Sequence, residues 1–179
     1  MFHKAFELPY VVSATLENDV EIREYLPQIW AASLAARESG SFRTLAAYVF
    51  GDNDRQERIG MTAPVINAED RIAFIMPGRY NLENLPRPLS ERIKIESVGA
   101  RRLAAIMFSG FADPNEKERN LALLQNTLER HGIRIQGGAL LMRYDPPWTP
   151  PFLRRNEIAL LISEERTIEK SKVIRRCLL

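Results

Sequence analysis

The stretch IKIESVGARRLAAIMFSGFADPNEKERNLALLQNTLERHG (93–132) decides the fold. Its first part, Ile93–Ser109, is dense in strand formers and interrupted near Gly99, which predicts a strand with a break. Its second part is the clearest helix of the chain. Asp113 stands as N-cap, Pro114 occupies the first turn, and Glu116 lies three residues on in a capping-box position. Leu121, Leu124 and Leu128 repeat at helical spacing, and Gly132 supplies the stop. Ala139–Tyr144 and Glu157–Ile162 then read as two strands, with Gly137-Gly138 as a hairpin or strand-entry turn.

The upstream half follows the same order. Val20–Ala36 (VEIREYLPQIWAASLAA) is strand-like and broken at Pro27, as a bulged strand or two successive ones. Ser41-Phe42 opens a short helix with Phe42, Leu45, Ala46 and Val49 on one face, ended near Gly51-Asp52-Asn53. Ile59–Asn67 and Arg71–Met76 read as strands around the turn Ala68-Glu69-Asp70. The order β-α-β-β thus occurs twice, in pseudo-repeats of about 20–77 and 93–162, bridged by PGRYNLENLPRPLS (77–90). Two such units pair into an α+β fold: a curved, barrel-like antiparallel sheet with two outer helices, one domain over 1–179. The charged end, residues 163–179, reads as a surface helix or frayed tail.

Composition excludes several classes. Net charge is +2 in 179 residues, without the basic footprint of a nucleic-acid binder. Apolar runs are soon broken by charge, and MFHKAFELPYVV lacks the core of a secretory leader, so neither a membrane span nor export is expected. Cys177 is the one cysteine, which rules out an internal disulfide and suits a reducing, cytoplasmic setting. It stands third from the end, whereas a prenylation box needs it fourth.

Polar chemistry is sparse. His3 lies near the N-terminus and His131 ends a helix, where a cation favours the dipole. Neither G-x-S-x-G nor H-E-x-x-H occurs. A calcium loop starting at Asp52 fails where Glu57 replaces the required glycine and Ala63 the closing glutamate. Glu21, Glu24, Glu91 and Glu96 alternate with Arg23 and Lys94, the pattern of solvated strand faces.

Apolar residues carry more. YDPPWTPPFLRRNEIALLI (144–162) holds four prolines around Trp148, stiff and hydrophobic, next to Arg154 and Arg155. Phe42, Leu45, Ala46, Val49, Met61, Tyr144, Trp148 and Phe152 form a candidate apolar wall, with Arg154 and Arg155 as its cationic rim. Thioethers and rings suit a flat apolar ligand, and a basic rim suits its acid groups. Each of these residues taken alone reads more readily as core than as site. Glu157 is expected to pair with one arginine and clamp the loop's exit, leaving the other at the rim. In the alternative, the loop seals the barrel's open end with Trp148 in the core.

These pieces resemble the SOUL/haem-binding protein family. VEIREYLP (20–27), FRTLAAYVFGDN (42–53), RIGMTAPV (58–65), FIMP (74–77), LPRPLSERIKI (85–95), MFSGF (107–111) and the proline loop running into Arg154-Arg155-Asn156-Glu157 occur in family order. The resemblance implies a duplicated barrel-like domain that binds haem or a related tetrapyrrole in a groove between the first helix and the proline loop. Where some members have a proposed axial histidine, this chain has Glu24. Phe42, Ala46 and Ala47 stand where members have larger or basic side chains, and Thr149 where a lysine occurs, leaving Arg43, Arg154 and Arg155 to supply charge. Three functions follow as expectations. The first is non-catalytic tetrapyrrole binding for buffering, transport or sensing. The second is an effector-binding domain for another apolar or cationic ligand. The third is a tetrapyrrole-modifying enzyme using Glu24, Tyr144 or Glu157.

Overall fold

A computed structural model describes residues 6–7, 9–34 and 38–163. The strands are β1 (Phe6–Glu7), β2 (Val11–Thr15), β3 (Glu21–Tyr25), β4 (Gln28–Leu34), β5 (Thr62–Ala63), β6 (Val65–Asn67), β7 (Arg71–Ile75), β8 (Ile93–Val98), β9 (Arg101–Phe108), β10 (Ile135–Arg143) and β11 (Asn156–Ile162). Helix α1 spans Glu38–Val49 and α2 Pro114–Arg130. Nine strands form one sheet in the order β2-β3-β9-β11-β10-β6-β7-β4-β8, and β1 pairs with β5. The segment 164–179, with Cys177, and His3 lie outside the described residues.

Two short links force the sheet to curl. β3 and β4 occupy the second and eighth places, yet only Leu26 and Pro27 join them. In a flat sheet six strand spacings separate them, about 29 Å. Three Cα steps reach at most about 11 Å. The same holds for β8 and β9, joined by Gly99-Ala100 across the same gap. The breaks at Pro27 and Gly99 are therefore where the chain leaves one rim of the sheet for the other. Arg101 sits at the seam, its guanidinium 4.8 Å from the Trp30 ring and 5.4 Å from that of Tyr25. Its NH2 donates to Gln28 Oε1 at 2.7 Å.

Both helices lie on the outer face. In α2, Leu124 and Leu128 are fully buried against Ile22, Ala104, Ile106, Ile158 and Leu160. In α1, Leu45, Tyr48 and Val49 pack on Ala31, Ile72 and Phe74. The inner face closes on itself through Tyr25, Trp30, Ile66, Leu103, Met142 and Ala159. The N-cap of α2 forms as expected, Asp113 Oδ1 accepting from the Glu116 amide at 3.0 Å. The reciprocal half of the capping box is replaced: Glu116 Oε2 accepts from Arg119 at 2.8 Å.

Three boundaries differ from the sequence reading. Helix α1 starts at Glu38 rather than Ser41. Ile59–Asn67 holds two short strands, because Pro64 cannot donate to a ladder. Strand β10 starts at Ile135, so Gly137-Gly138 is a strand interior and not a turn. The register slips between Ile135 and Ala139 as β10 passes β11. A Cβ on Gly137 would stand 3.4 Å from that of Leu161, at the near limit of ordinary van der Waals contact.

Candidate functional site

Strand alternation sorts the candidate residues onto the two faces of the sheet. Leu141 belongs to the core under α2 and Met142 to the inner core, so Arg143 returns to the outer face and Tyr144 to the inner. Cross-strand register then sets a row on the outer face. Phe108 pairs with Asn156, Asn156 with Arg143, Arg143 with Val65, and Val65 with Phe74. α1 covers the Phe74 end of this row, and the proline loop lies at its Asn156 end. Asn156 Nδ2 donates to the Gly110 carbonyl at 3.1 Å, and the Gly110 amide donates to the Pro151 carbonyl at 2.9 Å. Between them Val65 and Arg143, both half-buried, form a strip of sheet.

At 100° per residue, Phe42, Ala46 and Phe50 share the flank of α1 that faces this strip. The Phe42 ring meets that of Phe74 edge-on, with centroids 5.3 Å apart. Phe42 is 39% exposed and Phe50 57%. Leu45 and Val49, expected in the wall, turn under the helix and are fully buried. They hold α1 down and present nothing to a ligand. Phe50, eight residues on from Phe42, adds an exposed ring to the same flank. Met61 is half-buried beside the α1 core.

The proline loop is exposed at its tip: Trp148 is 70% and Phe152 75% accessible. This contradicts the reading in which Trp148 plugs the barrel. The loop is stapled from within by Arg154, which donates to the Thr149 carbonyl at 2.7 Å and to that of Pro147. Its guanidinium stacks on Phe111 at 5.2 Å.

Arg155, Tyr144 and Glu157 face the inner side. There Glu157, fully buried, accepts from Arg23 NH1 at 2.6 Å and NH2 at 3.1 Å. It also accepts from Arg155 Nε at 2.9 Å and NH2 at 2.8 Å, and from the Tyr144 hydroxyl at 2.9 Å. Arg155 NH2 donates on to the Tyr10 hydroxyl at 3.1 Å, and its guanidinium stacks on the Tyr144 ring at 3.9 Å. Arg23 Nε donates to Glu21 Oε2 at 2.7 Å. Burial alone would raise the Glu157 carboxyl. The hydrogen bonds and charge of Arg23, then of Arg155, outweigh it and hold Glu157 below the usual carboxylate range. Burial pushes the Tyr144 hydroxyl well up.

Arg155 is thus the arginine that pairs with Glu157, as the clamp reading allowed. The stronger partner, Arg23, was missed because it comes from a strand 134 residues away. The row of charges at Glu21–Glu24, expected to be solvated, turns Arg23 inward; only Glu24 remains well exposed, 3.9 Å from Arg102 Nε.

Two cavities lie elsewhere. One of about 520 Å³ sits between the β3–β4 link and the connector, lined by Gln28, Met76, Tyr80 and Leu82. Another of about 570 Å³ borders the first turn of α1, with Ser33, Arg71, Arg92 and Lys94. Neither is lined by a residue of the expected wall. Among the described residues, no cluster of three or more His, Cys, Asp or Glu side chains is placed to hold a metal. No helix among them is long and apolar enough to cross a membrane.

Residues 6–161 match the family model described as SOUL heme-binding protein. Heme-binding protein 1 of Mus musculus is 32% identical over 126 residues, which cover 64% of this chain and 65% of that protein. Heme-binding protein 2 of the same species is 25% identical over 170 residues, covering 83% and 80%. A solved hydrolase from Listeria innocua shares the fold, with a TM-score of 0.61 at 12% identity over 84% of this chain and 94% of that one.

Proposed function

The chain belongs to the SOUL heme-binding protein family, and from that premise we propose that it binds haem or a related tetrapyrrole without transforming it. The site is the groove over Val65 and Arg143, between the Phe42–Ala46–Phe50 flank of α1 and the proline loop. One observation carries this reading: the register row brings the apolar flank of α1 and the pinned loop to opposite edges of the same outer-face strip.

The donor set suits the macrocycle better than its metal. The groove offers aromatic and aliphatic surface, one thioether in Met61, and no imidazole among the described residues. His131 is at the end of α2, 3.8 Å from Glu17. Affinity therefore comes chiefly from burying the macrocycle, at roughly 25 cal/mol per Å² of apolar area before association costs. Buffering, transport or sensing fits this reading. Two of the three acid/base candidates face away from the groove: Glu157 is locked to Arg23 and Arg155, and Tyr144 donates to Glu157, which argues against their use in an enzyme. The whole chain is taken as one cytoplasmic domain of two pseudo-repeats. The strand order supports the repeats, since β3, β4, β7 and β6 occupy places that mirror β8, β9, β11 and β10.

Absorption titration with ferric haem tests the proposal. Saturable one-to-one binding weakened by Phe42→Ala or Trp148→Ala supports the groove. Binding unchanged in both variants removes it.

A further inference from the structure

We propose that the cavity of about 570 Å³ beside the first turn of α1 is a second binding site, for a small phosphomonoester that carries hydroxyl groups. It is separate from the groove: at 100° per residue, Gly40 and Thr44, which line it, stand on the flank of α1 opposite Phe42. Outer-face Ser33 and inner-core Ala32 both line it, so the cavity wraps the end of the β7–β4–β8 strip. Ser33 lies in register with Ile72 and Ile93 and is 3% exposed. Its hydroxyl has no hydrogen-bond partner among the described residues. A buried hydroxyl without a partner costs free energy, which a bound acceptor relieves.

Charge points to an anion. Arg71, also in the lining, is compensated: its NH1 donates to Glu96 Oε1 at 2.7 Å and its NH2 to Asp70 Oδ2 at 3.0 Å. Arg92 and Lys94, at the start of the edge strand β8, line the same cavity. Among the described residues neither side chain has an ion pair or hydrogen bond. Against these two cations the lining sets one unpaired acid, Glu91. The free amides of the α1 first turn add to the attraction. The hydroxyls beside them have the opposite capacity. Ser41 Oγ donates to the Leu34 carbonyl at 2.5 Å and Thr44 Oγ1 to that of Gly40 at 3.1 Å, so both can only accept further bonds. Donors at Ser33, Arg92 and Lys94 suit a phosphate group, and acceptors at Ser41, Thr44 and Glu91 suit ligand hydroxyls. A cavity of this volume holds a small molecule.

The test titrates wild type, Ser33→Ala and the double variant Arg92→Gln/Lys94→Gln with glucose 6-phosphate, inorganic phosphate and glucose by calorimetry. Thermal melts of each variant check folding. The expected result is saturable one-to-one binding of glucose 6-phosphate to wild type, tighter than that of phosphate or glucose. The double variant should weaken it about tenfold. Ser33→Ala should weaken it several-fold at an unchanged melting temperature, because the hydroxyl it removes makes no bond within the protein. Inorganic phosphate bound as tightly as the ester overturns the role given to ligand hydroxyls, and glucose bound as tightly overturns that given to the anion. Equal affinity for the ester in all three proteins, or no saturable binding of it to wild type, overturns the site.

Discussion

Replacing Glu157 by glutamine should be the most damaging isosteric change in the chain. The substitution keeps volume and removes one charge from a fully buried carboxylate whose two oxygens accept from Arg23, Arg155 and Tyr144. Arg23, with its side chain 4% accessible, is left with Glu21 as its acidic partner, and that side chain is 34% accessible. Breaking a buried pair on one side typically costs 3–5 kcal/mol, since an uncompensated charge stays in low dielectric. Against a total stability of roughly 5–15 kcal/mol that loss is a large fraction. Urea unfolding followed by far-UV circular dichroism measures it, with the slope m checked for change. Glu24→Gln, at an exposed carboxylate on Arg23's own strand, is the control and should stay within about 0.5 kcal/mol. Adding Arg23→Met to Glu157→Gln should recover part of the loss, because the stranded cation is removed with its partner. A Glu157→Gln cost below about 1 kcal/mol, at unchanged m, would refute the view that Arg23 depends on this buried partner across β9.

Other outcomes follow from burial and capping. Trp148→Ala should cost less than about 1 kcal/mol, while Leu124→Ala, fully buried under α2, should cost about 2–5; comparable losses in denaturant melts would overturn the placement of the proline loop. Asp113→Ala should lose about 1 kcal/mol through the N-cap of α2, and Asp113→Asn most of that loss back again, read by thermal melting. Because Glu157 is held below its ordinary value of 4.5, its contribution is complete above that pH and is lost as pH falls through the lowered native value. Wild-type stability should therefore fall more steeply below about pH 4.5 than that of Glu157→Gln. Parallel acid titrations of the two proteins would contradict this.

The fold was legible where local chemistry and global topology agree. Asp113, Pro114 and Gly132 marked α2, and Leu124 and Leu128 marked its buried face. Pro27 and Gly99 signalled breaks, although nothing local says that each break carries the chain from one rim of the sheet to the other. That exchange is a property of the closed sheet, and it is also what hides the Arg23–Glu157 pair from sequence. The start of β10 was missed because a glycine pair reads locally as a turn, whereas the strand runs through Gly137-Gly138 to its register slip against β11. For the candidate site, the helical spacing of α1 puts Phe42 and Ala46 on one flank, as the sequence reading had it. Leu45 and Val49 were included because a helical stripe does not reveal how far under the helix each member turns. Tyr144 was placed in the wall and Arg155 at its rim by proximity in sequence to Trp148, and strand alternation sends both to the other face.

The central claim is that the groove between α1 and the proline loop takes a tetrapyrrole. Its most direct test is a ferric haem titration of wild type and Phe50→Asp, monitored in the Soret region. Phe50 is 57% exposed and lies on the flank of α1 assigned to the proposed groove, so its replacement spares the core. The account predicts saturable one-to-one binding to wild type at roughly micromolar affinity, weakened at least tenfold in Phe50→Asp with melting unchanged. Equal affinity of the two proteins, or a wild-type spectrum that never saturates, would contradict it.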